Sequence, residues 1–546
     1  MLLAVARRAG RVAAGSAAVA GALCVSSSST DAQESSLPPS SPASFPTSLI
    51  PHAQTGVAVE NWSGTHSSLP CAYFEPETPG AVAEILHWMH TAGQRLRIVG
   101  SALSPNGIGL SDGAMLNMAM CDRILHVDVD KRQVTVEAGA RVRDVVEAIR
   151  PHGLTLQNYA SIAEQQIGGF LQVGAHGTGA QVPPVDEQFV EMRLETPALG
   201  ELILSESSNP TLFRLARVGL GALGVVTQVT IQCVPAQKLV QHTYTATREE
   251  IMRGHGENLK HQHMRYMWIP HTDTVVVVTC DPLPHGGGAK HDFPPPPTEA
   301  DEKTATQPLR ELLLERAPEA VSASDAAQMN FAQLRDALIA IAPLDKAHVA
   351  KVNRAEAEFW KRSEGFRIDW SDRILGFECG GQQWVSEVAF PCGTLEKPNG
   401  ADLEYMRELL SEIESSNLPA PSPIEQRWSL RSTSLMSPAH SAGARDLHSW
   451  VGIIMYLPTD EVEQRDAITR RFWEYNAMCR GRLWGRYDAH QHWAKIEIPE
   501  DPKEREWVRE RLRERFPLAE FNEARRRLDP KGILANDLIE GLLGKS

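Results

Sequence analysis

Hydrophobic and polar positions along this chain follow two periods, and the switches between them mark out its elements. Apolar residues recur at helical spacing through Ala81–Ala92 and Val142–Ile149, which predicts two amphipathic helices. Arg95–Val99 is short, largely apolar and strand-like, and Val127–Val129 and Val134–Glu137 flank the polar turn DKRQ as a hairpin. Asn209–Arg217 reads as a helix, and the β-branched run Val225–Val234 as a strand. Strands are expected at Thr243–Thr245, Tyr266–Ile269 and Val275–Cys280, then helices at Leu309–Glu315, Phe331–Ile341 and Ala347–Lys361. Val385–Phe390, Pro423–Trp428 and Trp450–Leu457 read as further strands. Helices and mixed strands without regular βαβ spacing make the chain α+β.

Composition sharpens this picture at a few points. At 546 residues, 42% hydrophobic and 22% charged, the chain is long enough for two or more domains with ample core. We place the first over 59–236 and the second over 237–464. The stretch 282–308 is rich in Pro, Gly and charge, and reads as a disordered insertion. No run reaches the ~18 apolar residues of a membrane span, so membrane contact is expected to be peripheral at most. Residues 1–30 carry Arg7, Arg8 and Arg11 among Ala and Ser, with no acid before Asp31. That composition resembles a mitochondrial transit peptide, followed by a disordered tether over 31–58. The rival is a secretory signal, whose product would expose the sequon Asn61-Trp62-Ser63. The net charge is −14, an acidic surface of the kind that would steer a basic partner, and no nucleic-acid partner is expected. The eight cysteines form no C-x-x-C pair, and His176 and His492 stand far apart in sequence, so no metal site is expected.

The chemistry concentrates in two glycine-rich segments. In IVGSALSP the loop Val99, Gly100, Ser101, Ala102, Leu103, Ser104 and Pro105 follows a strand with small residues only. The segment from Ser161 to Gly179 holds Gly168, Gly169, Gly174, His176, Gly177 and Thr178. Without Cβ atoms such backbones form nests whose N–H groups receive phosphate, and two of them imply a large diphosphate-bearing cofactor. GLGALG at Gly219–Gly224 matches the dinucleotide fingerprint, but here a helix precedes it and a strand follows, the reverse of the Rossmann order. The turn can still press Gly224, Val225 and Val226 against a flat ring.

These segments, together with IEQRW at Ile424–Trp428 and HWAKIE at His492–Glu497, resemble the aldonolactone oxidoreductases of the vanillyl-alcohol-oxidase flavoprotein superfamily. The resemblance runs from about Val59 to Gly544. It implies a two-domain vanillyl-alcohol-oxidase/PCMH-type FAD-binding fold with an α+β cap domain, in which 465–546 returns to close the active site. It further implies FAD as cofactor, L-galactono-1,4-lactone as substrate, cytochrome c as electron acceptor and a mitochondrial intermembrane location. An oxygen-using oxidase, or a role in assembling respiratory complex I, is the alternative. On one strand Glu425 and Arg427 share a face, and the resemblance makes them the pair that orients lactone hydroxyls beside the flavin, with Ser161 also meeting substrate or flavin. Lys495, in what reads as a strand, is the second cation for flavin or substrate; His492 reads as structural, and His176 as packed near the diphosphate.

Two positions tune the expectation. Leu103 stands where many relatives carry the histidine that bonds the flavin, so FAD should be non-covalent. Ala102 stands where the plant pattern has glycine, which costs of order 1 kcal/mol if φ is positive. Ala138 matches the alanine of relatives that react slowly with oxygen, which makes it an oxygen gate. Cys379 is a redox-sensitive candidate near the lactone pocket.

Overall fold

The computed structural model describes residues 49, 52–283, 298–377 and 380–545. The expected helices and strands form, several with the anticipated bounds. Val142–Ile149 and Phe331–Ile341 are helices over those residues, and Val142, Val145, Val146 and Ile149 are the buried stripe of the first.

The first unit is built on two larger sheets, with two short two-stranded pairings beside them. Ala53–Gln54, Ala72–Phe74, Ala114–Asn117 and Leu96–Val99 form a four-stranded sheet in that order, with parallel pairing at its last two junctions. Gly200–Ser205, Phe189–Thr196, Val225–Gln232, Gln133–Glu137 and Ile124–Asp128 form a five-stranded antiparallel sheet. Gly139 sits where the chain leaves Gln133–Glu137, and a Cβ there would lie 1.8 Å from the Met118 carbonyl oxygen.

The second unit is an eight-stranded antiparallel sheet. Its order is Gly365–Trp370, Lys238–Thr247, Thr274–Pro282, His263–Trp268, Ile424–Leu430, Asp446–Tyr456, Gln383–Thr394 and His490–Gln491. Both faces of its centre are covered. Val276 and Val278 join the core shared with the first unit, while Val275 and Val277 join the core under the helix Ala401–Ser415. That two-sided burial is why Val275–Cys280 is apolar without alternation.

The last residues pack back onto the first unit. The Leu96 N–H donates to the Ile533 carbonyl, and Asn536 Nδ2 donates to the carbonyls of Gly107, Ile108 and Leu110.

Four sequence expectations change. Helix Glu299–Ala305, started by a Thr298 capping box, and the first two residues of helix Gln307–Arg316 occupy the end of the stretch read as a disordered insertion, while the rest of the second is the helix expected at Leu309–Glu315. Part of the expected tether is a strand, since Ala53–Gln54 pairs with Tyr73 and Phe74. The rest of 31–58 up to Leu49 and the proposed transit peptide lie outside the described residues. The HWAKIE segment is a turn after the strand His490–Gln491 rather than a strand. Finally, Asn61 is buried, with its side-chain amide donating to Thr65 Oγ1 and the Ser104 carbonyl, so the sequon is not presented for glycosylation.

Candidate active site

A cavity of about 560 Å³ has its walls in both units. Its floor is one face of the eight-stranded sheet, built by strict alternation on neighbouring strands. Val385 and Glu387 come from one strand, Gly452 and Ile454 from the next, Glu425 and Arg427 from the third, Arg265 and Met267 from the fourth.

The opposite wall is the pair of glycine-rich loops. All seven residues from Val99 to Pro105 line the cavity, as do Ser161, Gly168, Gly169, His176 and Gly177. The first loop is held by its carbonyls: Gly100 accepts from Asn117 Nδ2 (3.3 Å), Ser104 from Asn61 Nδ2 (3.1 Å) and Pro105 from Thr65 Oγ1 (2.7 Å). Ser101 Oγ donates to the Glu164 carbonyl at 2.6 Å and ties the loops together. Among the described residues no acceptor takes the backbone N–H groups of Gly100 to Ser104. Unpaired backbone donors on a cavity wall fit the diphosphate of FAD. Gly169 adds room, because a Cβ built there meets nothing within 4 Å. Ala102 does adopt positive φ, at 52°.

Gly224 and Val226 also line the cavity, with Leu220 and Gly221 of the same turn. Three expected contacts do not. Val225 alternates to the other side of its strand and packs with Phe74 and Ile85. Gly174 (φ 68°) makes a turn against Val218. Thr178 Oγ1 is bound to the Met264 carbonyl, which anchors the loop to the sheet instead. Ala138 is on the cavity wall, its Cβ 3.2 Å from where Gly168 would carry one, and its carbonyl accepts the Gly168 N–H at 2.8 Å.

The polar chemistry is a chain of alternating charge. Arg265 Nη1 lies 3.1 Å from Glu425 Oε1, and Glu425 Oε2 lies 3.4 Å from Arg427 Nε. Arg427 Nη2 donates to Glu387 Oε1 at 2.8 Å, and Lys495 Nζ bonds Glu387 Oε2. Three cations against two carboxylates leave one net positive charge, with Arg427 and Glu387 buried. The pair expected to orient lactone hydroxyls, Glu425 and Arg427, is therefore one link of a longer network on the cavity floor. Burial alone would raise Glu387, but Lys495, His176 and Arg427 hold it well below the ordinary carboxylate value.

Two histidines complete this cluster. His176 stacks on Trp450, with ring centroids 3.9 Å apart, and its Nε2 lies 3.1 Å from Glu387 Oε2. It thus braces the charge network rather than only the diphosphate wall. Burial pushes it toward the neutral form, against the pull of Glu387. His492 is driven well below its usual value by burial and then by Lys495; its Nδ1 accepts the Ala494 N–H at 3.1 Å and so shapes the turn that presents Lys495.

Sequence spacing separated these histidines, yet His176, Glu387 and His492 bring one ligand atom each within 4.8 Å of one another. Both carboxylate oxygens of Glu387 already hold cationic side chains, which repel a further cation. Cys379 lies outside the described residues, although Phe377 and Gly380 on either side of it in the chain line the cavity.

Sequence reasoning missed Glu387, Arg265 and Arg97. Each is a charge in a largely buried strand with many apolar neighbours, and that was the available signal. Arg97 is buried without a carboxylate and donates to the carbonyls of Ile108, Leu220, Gly221 and Leu534. Burial lowers it to about 9.

Comparison with known proteins agrees with this geometry. Residues 70–204 match the FAD binding domain family, and 229–542 match the D-arabinono-1,4-lactone oxidase family. A mitochondrial L-galactono-1,4-lactone dehydrogenase of Brassica oleracea is 52% identical over 492 residues, 89% of this chain and 82% of the relative. The Arabidopsis thaliana protein of the same name is 50% identical over 493 residues, covering 89% and 81%. An L-gulonolactone oxidase of Bos taurus is 29% identical over 90% of this chain and 99% of its own. Among solved structures, a cholesterol oxidase of Brevibacterium sterolicum superposes with TM-score 0.72 at 16% identity, covering 93% of this chain and all of that one, which shows the shared fold.

Proposed function

Since the chain belongs to the D-arabinono-1,4-lactone oxidase family and is an FAD-dependent oxidoreductase of aldonolactones, we propose that it oxidises L-galactono-1,4-lactone at C2 and passes the electrons to cytochrome c. The ketone product enolises to ascorbate, and the reaction takes place in mitochondria, facing the intermembrane space. The observation that carries this reading is the buried charge chain with its single excess positive charge.

FAD supplies the acceptor for the hydride of the C2–H bond and, once reduced, carries negative charge. The residues that would hold it are the N–H donors of Gly100 to Ser104 at its diphosphate, with Gly168 and Gly169 on the wall beside them. This chain supplies the rest. The Arg427 guanidinium offers stabilisation to the developing anion. Glu425, flanked by Arg265 and Arg427, accepts a hydrogen bond from a lactone hydroxyl. Lys495 presents a second cation from a turn fixed by Glu387 and His492. Ser161 contributes to the lactone side of the wall. Ala138 places a methyl group on the wall where oxygen would approach, which favours a protein acceptor, and the net charge of −14 suits a basic one.

The test is anaerobic flavin bleaching by a panel of aldonolactones, followed by reoxidation with cytochrome c or dissolved oxygen. Bleaching by L-galactono-1,4-lactone with fast cytochrome c reduction is the expected result. No bleaching by any lactone would overturn the activity, and stoichiometric peroxide would make the protein an oxidase. Acid precipitation of the same sample should release all FAD, because Leu103 has no atom to bond it.

A further inference from the structure

The cavity extends beyond the charge chain, and its far end is polar again. Along Gln383–Thr394 the residues Gln383, Val385 and Glu387 all face it, and their sheet partners are Tyr456, Ile454 and Gly452. Four residues of strand separate Glu387 from Gln383, roughly 13 Å. Between them lies an apolar row of Val385 and Ile454. At the far row the helices Phe331–Ile341 and Lys346–Arg362 deliver two charged side chains to the cavity wall, Arg335 and Glu356.

Both are built in. Glu356 is 2% exposed, and its Oε1 accepts from Trp360 Nε1 at 3.3 Å. The Arg335 guanidinium stacks over Tyr456, 4.5 Å from the ring centroid, and donates to Asp336 Oδ1 at 3.0 Å. The oxidation chemistry uses neither group, and a guanidinium with five donors and a carboxylate with about four acceptor sites keep capacity for a hydroxyl beyond these partners. Across a six-carbon 1,4-lactone, from the C2 hydroxyl oxygen over the ring to the C6 hydroxyl oxygen of the extended side chain, the span is roughly 7 Å by ordinary bond lengths. With a hydrogen bond of about 3 Å at each end, such a lactone reaches from one polar row to the other.

We propose that Arg335 and Glu356 form a subsite for the exocyclic hydroxyls of the lactone, so that they select six-carbon substrates over shorter ones. Glu356 accepts from one hydroxyl and Arg335 donates to its neighbour, while the apolar row lies under the carbon skeleton. This rests on the lactone-oxidase reading above.

The experiment compares wild type, Glu356→Gln and Arg335→Gln as FAD-loaded enzymes, using L-galactono-1,4-lactone and a four-carbon dihydroxybutyrolactone that lacks the exocyclic carbons. Rates come from flavin bleaching, and Kd from the flavin spectral shift where turnover is slow. Each variant should lose tenfold or more in kcat/KM for the six-carbon lactone, mainly through KM, and stay within about twofold for the four-carbon one. Equal loss for both lactones would show a merely structural role and overturn the subsite, as would wild-type KM for the six-carbon lactone. A wild-type flavin that no lactone bleaches would instead overturn the reading beneath it.

Discussion

Replacing Glu387 with Gln removes the one buried carboxylate that joins Arg427 to Lys495, while keeping its shape. The side chain is 2% exposed and receives Arg427 at 2.8 Å, Lys495, and His176 at 3.1 Å. Two cations would then sit beside an amide whose Nε2 is a donor, leaving charge uncompensated in a dry site. Breaking a buried ion pair on one side costs about 3–5 kcal/mol of stability. Arg427 and Lys495 would also lose their fixed positions, and removal of a positioned electrostatic partner costs ~3 kcal/mol in the transition state, about a hundredfold in rate. Glu387→Asp keeps the charge on a shorter stem and should fall between. The assay is single-turnover flavin reduction by lactone under argon, alongside urea unfolding of the same samples. FAD should stay bound, because the loop Gly100 to Ser104 proposed for its diphosphate does not involve Glu387. A Glu387→Gln enzyme that reduces its flavin within about threefold of wild type would refute the idea that this carboxylate organises the cations.

Other perturbations test separate parts of the site. Ala138→Gly removes a methyl group from the cavity wall and should leave lactone-driven reduction nearly unchanged while speeding reoxidation by oxygen; coincident stopped-flow reoxidation rates would exclude Ala138 as the gate. Ala102→Gly relieves an L-residue held at φ 52°, so it should raise stability by up to ~1 kcal/mol after the entropy cost of glycine, and a lowered urea midpoint would contradict this. Burial raises Glu497 to about 8, from ~4.3 in an unfolded chain, with His66 Nε2 at 3.3 Å. A folded state that binds the extra proton is favoured below ~4.3 and loses that contribution as pH rises through about 8; Glu497→Gln should therefore flatten the decline of stability between pH 5 and 8.5, and parallel pH profiles for the two proteins would reject it.

Much of this protein could be read from residue order alone, and the reason is local physics. Helical spacing set Val142–Ile149, glycine without Cβ set the two loops, and the reversed order around Gly219–Gly224 ruled out a Rossmann site. Glu425 and Arg427 were placed on one face by strand alternation, because two residues of strand return a side chain to the same side. The α+β class followed from the same periodicities. Where a local signal was weak, the reading slipped: Lys495 sits on a turn, and the charged stretch after Thr298 caps and forms helices.

Tertiary structure decided what those residues meet. Glu387 is 38 residues before Glu425 and 108 before Lys495, and no short-range pattern links them. They meet because antiparallel register sets Glu387 and Glu425 on either side of Gly452, and because the chain returns at His490–Gln491 to add a last strand. His176 joins them by stacking on Trp450 across the gap between the two units. The sequence by itself determined which backbone could lie against a diphosphate and which strand carried a charged pair. Only the packing of one unit on the other decided that five charges and two histidines share a single cluster around the buried Glu387 and Arg427, since Coulomb interactions depend on distance in space and on burial.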